Sequence, residues 1–265
     1  MSAADLAAIA LAKRRPPWLE RFLSTVGSCE HRHGMIGPGD RILVGVSGGK
    51  DSLATALALA LRRGIGGVQY EVAALLVDWE EFSAPAEAVS RLDEWLGLIS
   101  VPFIHHRARM ADYLPTMAFS CYACGRSRKR ILFEEAARRG FGKLALGHTL
   151  DDFAATVLMN LSFRGRLEPL EPTRDFFEGK VRVIRPLCET RESSIRTAAS
   201  RLGFPVFEVE CPNKGETLRD KLRPVIADLA KIDTLVLENC YRAWYGPSGG
   251  TRTGMRKRET QGGTR

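Results

Sequence analysis

From Asp40 onward, apolar and polar positions fall into blocks whose spacing switches between strand and helix. RILVGV (41–46) is short and apolar, as a buried strand requires, and 51–63 carries apolar residues at helical spacing before Gly64. The same reading predicts strands over 70–78, 101–106 and 143–148, and helices over 84–98, 122–139 and 150–163. The rhythm then breaks. Residues 164–180 hold Gly165, Pro169, Pro172 and Gly179 and read as a loop. A short strand over 181–184 stops before Pro186. A helix over 190–202, a strand over 205–209 (PVFEV) and a helical region over 216–240 complete the pattern. Apolar strands alternating with helices imply an α/β fold, a parallel twisted sheet with helices on both faces. Ligands of such sheets sit beyond the carboxyl ends of the strands.

The two ends differ from the middle. Residues 1–39 form a leader in which Pro16 and Pro17 precede a helix near 18–26. Residues 40–240 form the domain. Residues 241–265 are rich in glycine and arginine and nearly free of aliphatic side chains, the composition of a basic disordered tail, suited equally to RNA backbone and to solvent.

Composition narrows the function classes. No apolar run reaches the roughly 18 residues of a membrane span. The short apolar patch near the start has Asp5 ahead of it and Lys13, Arg14 and Arg15 behind, the reverse of a secretory signal. The expectation is a cytoplasmic protein, whose six cysteines are thiols, metal ligands or catalytic groups rather than a disulfide framework. A net charge of +8 favours an anionic partner such as nucleic acid.

Ser47-Gly48-Gly49-Lys50-Asp51-Ser52 follows the first strand directly. It does not satisfy G-x-x-x-x-G-K-[ST], because only three residues separate Gly45 from Gly49 and Asp51 follows Lys50. It does not satisfy G-x-G-x-x-G either. The two glycines let backbone N–H groups approach phosphate closely. Ser47 and Ser52 add hydroxyls, Lys50 adds charge, and the helix that follows turns its positive end toward an anion. The hexapeptide resembles the pyrophosphate-binding loop of the N-type ATP pyrophosphatases. That resemblance implies cleavage of ATP between its α and β phosphates and adenylation of a carbonyl oxygen.

Gly147-His148-Thr149-Leu150-Asp151-Asp152 follows the fourth strand, on the same sheet edge. Its paired carboxylates suit Mg²⁺ or a general base, and equally suit capping of a helix. A G-H-x-x-D-D segment is similar to one found in ATP pyrophosphatases that modify tRNA. Asp78 ends the second strand on that edge, placed to touch the nucleotide or to be solvated. Cys121 and Cys124 form a C-x-x-C at a helix start, a spacing for one metal or cluster or for a redox pair. Cys211 follows PVFEV, where a sheet strand would bring it to the same edge. Cys29, Cys188 and Cys240 have no chelating partner nearby in sequence and read as small buried hydrophobes.

Taken in order, GDRILVGVSGGKDS, CYAC, LALGHTLDD, VIRPL and Cys211 resemble the tRNA 2-thiolation enzymes of the 2-thiocytidine synthetase family, over roughly residues 30–230. The resemblance implies a [4Fe–4S] cluster on Cys121, Cys124 and Cys211 with one iron open to sulfur. It implies ATP and Mg²⁺ at Ser47–Ser52 with Asp78, Gly147, His148 and Asp151 beside them. It gives catalytic parts to Lys50, Asp51, Asp152 and Cys211. The implied partners are tRNA, a sulfur donor of the cysteine-desulfurase or persulfide-carrier kind, and a second copy of the chain in a homodimer. Thr149-Leu150 and Pro212-Asn213-Lys214-Gly215-Glu216 lean instead toward a branch that thiolates a uridine-type base in the tRNA T-loop. That branch carries two zinc-finger modules, which six cysteines with three already assigned do not supply. Arg128 stands where that branch has a catalytic lysine. His31, His33, His105 and His106 read as structural or RNA-facing, and Arg164 and Arg166 as solvated or RNA-facing. Lysidine-type ligation on tRNA, amide formation on a small molecule, and an iron–sulfur protein with a regulatory nucleotide site are the alternatives.

Overall fold

The structure is a computed structural model that describes residues 15–113, 120–210 and 218–246. Its strands are β1 Arg41–Val46, β2 Glu71–Trp79, β3 Phe103–Ala108, β4 Lys143–Ala145, β5 Thr173–Phe176 and β6 Val181–Ile184. Its α-helices are α1 Pro17–Arg32, α2 Lys50–Arg62, α3 Ala86–Leu98, α4 Met110–Tyr113, α5 Cys121–Arg138, α6 Leu150–Arg164, α7 Glu192–Arg201, α8 Leu218–Ile232 and α9 Val236–Tyr245. Among the described residues none is long and apolar enough to cross a membrane.

One six-stranded sheet runs in the order β3-β2-β1-β4-β6-β5. Every pair is parallel except β5 with β6. From β1 the chain moves outward first to β2 and β3, then returns to β4 on the other side. The topological switch point therefore lies between β1 and β4, and a crevice opens there at the carboxyl edge.

Burial explains the two faces. α2 is buried without a break from Ser52 to Leu61 because α1, α7 and the sheet surround it. That face also carries α1, α3, α6 and α9, with Leu19, Leu57, Leu92, Phe153 and Tyr241 in one core. The opposite face is covered chiefly by α5, whose Cys124, Ile131, Phe133 and Ala136 pack on Leu43, Leu75, Val77 and Trp79. Each fully buried Leu or Phe contributes about 1.5–3 kcal/mol, so both layers hold the sheet.

Four sequence expectations change. No strand forms over 205–209. Pro205 has no N–H, the Val206 N–H turns back to Phe204 O (2.8 Å), and the Phe207 N–H goes to Gly48 O (3.1 Å), so no ladder is left to make. The expected loop over 164–180 contains β5, an antiparallel edge strand. Arg182 forms a bidentate pair with Asp175 across it (2.6 and 2.9 Å), and the tight turn places Phe177 and Glu178 at φ 53° and 58°. The helical region over 216–240 is two helices. Finally, the tail boundary at Tyr241 falls inside α9. Tyr241 and Tyr245 are buried, and Tyr245 Oη donates to Leu170 O (2.5 Å). Aromatic side chains thus carry the fold to the end of α9 where aliphatic ones have run out. The leader helix is likewise part of the core, with Leu19, Phe22, Leu23 and Val26 buried.

Candidate functional site

The crevice at the switch point is built by two strand-to-helix turns. In the first, Gly48 takes φ +80°, a conformation that costs an L side chain, and a Cβ there would sit 2.7 Å from the Phe207 ring. Ser52 Oγ donates to Gly49 O (2.8 Å) and accepts from Ser47 N–H (3.1 Å), which closes the loop on itself. The N-terminus of α2 has no side-chain cap, so its positive end faces the crevice.

The second turn is Gly147–Asp152. Thr149 and Asp152 form a capping box. Asp152 Oδ2 accepts from Thr149 N–H (3.0 Å) and Oγ1 (3.2 Å), and Asp152 N–H returns to Thr149 Oγ1 (3.4 Å). Asp151 Oδ2 accepts from the Glu192 N–H at the start of α7 (2.7 Å). Both aspartates therefore also do structural duty. His148 Nδ1 accepts from Arg185 Nε (3.3 Å), and Arg185, buried at the end of β6, also donates to Glu171 O.

Glu192 was not singled out from the sequence, and it completes the site. Lys50 Nζ lies 2.9 Å from Glu192 Oε1 and 3.2 Å from Asp51 Oδ2. Although burial opposes the charge, these carboxylates hold the Lys50 ammonium above its usual pKa. Burial pushes the Asp51 carboxyl up against the opposing pull of Lys50. Burial raises Asp151 as well. Asp51 Oδ1 is buried with no hydrogen-bond partner. A carboxylate oxygen left so, beside further acids, fits a cation ligand such as Mg²⁺. Beside this group a pocket of about 280 Å³ is lined by Asp151, Asp152, Glu192, Arg196, Arg223 and Ile226.

Asp78 is not solvated. It is buried, accepts from Ala84 N–H (2.8 Å), and pairs with His105 Nε2 (2.9 Å). It fastens the turn after β2. Cys121 and Cys124 stand on the first turn of α5, which Ser120 caps by accepting from Ala123 N–H (3.2 Å). Cys121 is half-buried and Cys124 buried. Because α5 runs down from the carboxyl edge to the start of β4, the C-x-x-C opens on the same edge as the phosphate loop. Cys211, the expected third ligand, lies outside the described residues, as do the Pro212–Glu216 segment and residues 247–265. The described chain before it is pinned to the loop through the Phe207–Gly48 hydrogen bond. Arg128 keeps a buried Nε without a partner. Next to it, burial and the charge of Arg185 lower the Lys129 pKa.

A PP-loop domain family model matches residues 29–229 of this chain. The chain belongs to the PP-loop family of ATP-binding proteins. Its curated relatives include the tRNA-cytidine(32) 2-sulfurtransferases of Anaeromyxobacter sp. (strain Fw109-5), 30% identical over 84% of this chain and 75% of that protein, and of Polynucleobacter asymbioticus, 30% identical over 85% and 76%. The PP-loop chain is thus similar to sulfurtransferases over most of its length. Among solved structures, the U34-tRNA thiolase NcsA from Methanococcus maripaludis with its [4Fe-4S] cluster superposes with a TM-score of 0.66. It is 21% identical and the match covers 85% of this chain and 77% of that one, so the two share the fold.

Proposed function

We propose that this PP-loop protein is an ATP-dependent tRNA sulfurtransferase that replaces the C2 oxygen of a tRNA pyrimidine, cytidine 32, with sulfur. The observation that carries the reading is the placement of two chemistries on one sheet edge. The phosphate loop opens there from β1, and the C-x-x-C opens there from α5. The names of the curated relatives support cytidine 32 as the nucleoside.

ATP lies with its phosphates over Ser47–Ser52. The C2 carbonyl oxygen attacks the α-phosphorus, the bond to the β-phosphate bridge breaks, and pyrophosphate leaves with the electron pair. Lys50 and the α2 N–H groups stabilise the charge that builds on phosphate. In the resting protein Glu192 and Asp51 hold Lys50, which keeps the ammonium in place for that task. Asp51, with Asp151, would hold Mg²⁺. A sulfur nucleophile then adds to C2, and the C–O bond breaks with AMP as leaving group. Adenylation matters because AMP leaves readily where a bare carbonyl oxygen does not. A [4Fe–4S] cluster on Cys121, Cys124 and Cys211 would supply an open iron position for that sulfur, and three protein ligands instead of four suit an open position. A protein persulfide would supply that sulfur as hydrosulfide once a second thiol attacks its inner sulfur, so that the S–S bond breaks and a disulfide forms in its place.

The surface of α5 offers a place for the RNA. A groove between α5 and the β5–β6 turn is lined by Phe133, Phe176, Phe177, Arg126, Lys129 and Lys180. Lys129 Nζ stands 4.5 Å from the Phe176 ring centroid. Aromatic faces interleaved with cations suit stacked bases and phosphates together.

The test is anaerobic purification with iron and sulfide analysis, paired with mass spectrometry of tRNA nucleosides from a deletion strain. Loss of one 2-thiolated pyrimidine, restored by the wild-type chain and not by Cys124→Ser, is the expected result. An unchanged nucleoside profile sinks the reading, and thiolation that survives Cys124→Ser removes the C-x-x-C from the chemistry.

A further inference from the structure

Cys29, Cys188 and His33 are remote from the C-x-x-C in sequence and carry no part in the chemistry above. Cys29 and His33 are four residues apart at the end of α1, so one turn of helix stacks them on one face. Cys188 comes from the turn after β6, 159 positions from Cys29, and yet the two sulfurs are 3.2 Å apart. Both cysteines are fully buried. One ring nitrogen of His33 joins them, with all three donor atoms within 4.8 Å of one another. We propose that these three side chains form a structural site for a zinc-class divalent ion that staples α1 to the domain.

The spacing excludes a covalent bond and stands close to that of two thiolates on one metal. A disulfide requires about 2.05 Å between sulfurs. Two thiolates on one tetrahedral zinc, each at about 2.3 Å, stand about 3.8 Å apart. The observed separation is nearer the second value, and the sulfurs need open by only about half an ångström to admit the ion.

The surroundings match a metal-bound histidine. His33 Nε2 contacts Glu189 Oε1 (3.1 Å) and Tyr241 Oη (2.8 Å), and Tyr241 Oη also donates to Glu189 (2.9 Å). The Glu189 carboxylate and the Tyr241 hydroxyl fix the orientation of the imidazole, as the second layer around a metal-bound histidine does. The Tyr241 hydroxyl is 4.0 Å from Cys188 Sγ, within reach of the fourth position.

The experiment is metal analysis of the intact chain purified without oxygen, for the wild type, for Cys29→Ala with Cys188→Ala, and for Cys121→Ser with Cys124→Ser. The expected result is about one zinc per chain in the wild type, retained in the Cys121/Cys124 variant and lost in the Cys29/Cys188 variant. Cobalt replacement in the wild type gives a measure that does not depend on any variant folding. The expected spectrum has thiolate-to-cobalt charge transfer and tetrahedral ligand-field bands that persist in the Cys121/Cys124 variant and weaken in His33→Ala. Three results overturn the proposal: a well-folded wild type that takes up neither ion, zinc that stays with the Cys29/Cys188 variant, or a Cys29–Cys188 disulfide in the purified chain.

Discussion

Gly147 lies against the backbone of Asp51 so closely that a Cβ on it would meet the Asp51 carbonyl oxygen and the Ser52 nitrogen at 2.8 Å. The contact joins the turn after β4 to the turn after β1 across the switch-point crevice. Backbone cannot swing aside as a flexible side chain can. Gly147→Ala should therefore push the two turns apart. We expect a loss of about 1–3 kcal/mol in stability by denaturant unfolding and at least a tenfold loss of ATP affinity by calorimetry. Wild-type ATP affinity in this variant would show that the crevice is not the nucleotide site.

Lys50 and Glu192 form the ion pair at the centre of the site. Lys50→Ala should abolish pyrophosphate release with tRNA present while leaving the fold intact by circular dichroism. Glu192→Gln keeps a hydrogen-bonding oxygen and removes the charge. It should slow pyrophosphate release by roughly tenfold, more through kcat than KM, if it positions Lys50. An unchanged kcat would make Glu192 a helix-start residue and no more.

Glu135 stabilises α5, the helix that presents the C-x-x-C. Arg138 hydrogen-bonds it (2.7 Å to Oε2) and, despite burial, holds its pKa down at about 2 from an ordinary 4.5, with Arg139 adding to the effect. A depressed carboxyl contributes stability that is full above its unfolded pKa and fades as pH falls through the folded one. Glu135→Gln should cost about 1–2 kcal/mol near pH 7, discounted because both arginines are partly exposed. The difference from wild type should shrink between about pH 4.5 and pH 2. Urea midpoints of both proteins across that range are the check, and a pH-independent gap would assign the effect to packing.

Phe177 is 59% exposed at the tip of the β5–β6 turn, and Lys180 follows it in the same groove. Phe177→Ala and Lys180→Ala should each weaken tRNA binding while leaving ATP affinity unchanged. Lys180→Ala should also reduce the salt dependence of binding by about one ion, whereas Phe177→Ala should not. Filter binding at several salt concentrations separates the two, and full affinity in both variants moves the RNA to another face.

Much of the site is legible in the chain because its parts are local. SGGKDS and GHTLDD each lie at one strand-to-helix turn and CYAC at the start of the helix that leads into β4, and the α/β alternation alone sends all three to one edge. The capping box of Thr149 and Asp152 is readable at a spacing of three residues. PVFEV misled because its composition suits a strand, while its hydrogen bonds go to Phe204 and Gly48. The stretch over 164–180 misled because its glycines and prolines mask the short edge strand between them.

What local spacing determined was the order of strands and helices, the phosphate loop and the C-x-x-C. What tertiary structure alone decided was which distant groups meet: Glu192 with Lys50, Phe207 with Gly48, and Cys29 with Cys188. Those pairings depend on how β1, β4 and β6 line up and on where α1 and α7 pack. A side chain's period along its own helix or strand records which face it lies on, and carries nothing about the partner waiting there.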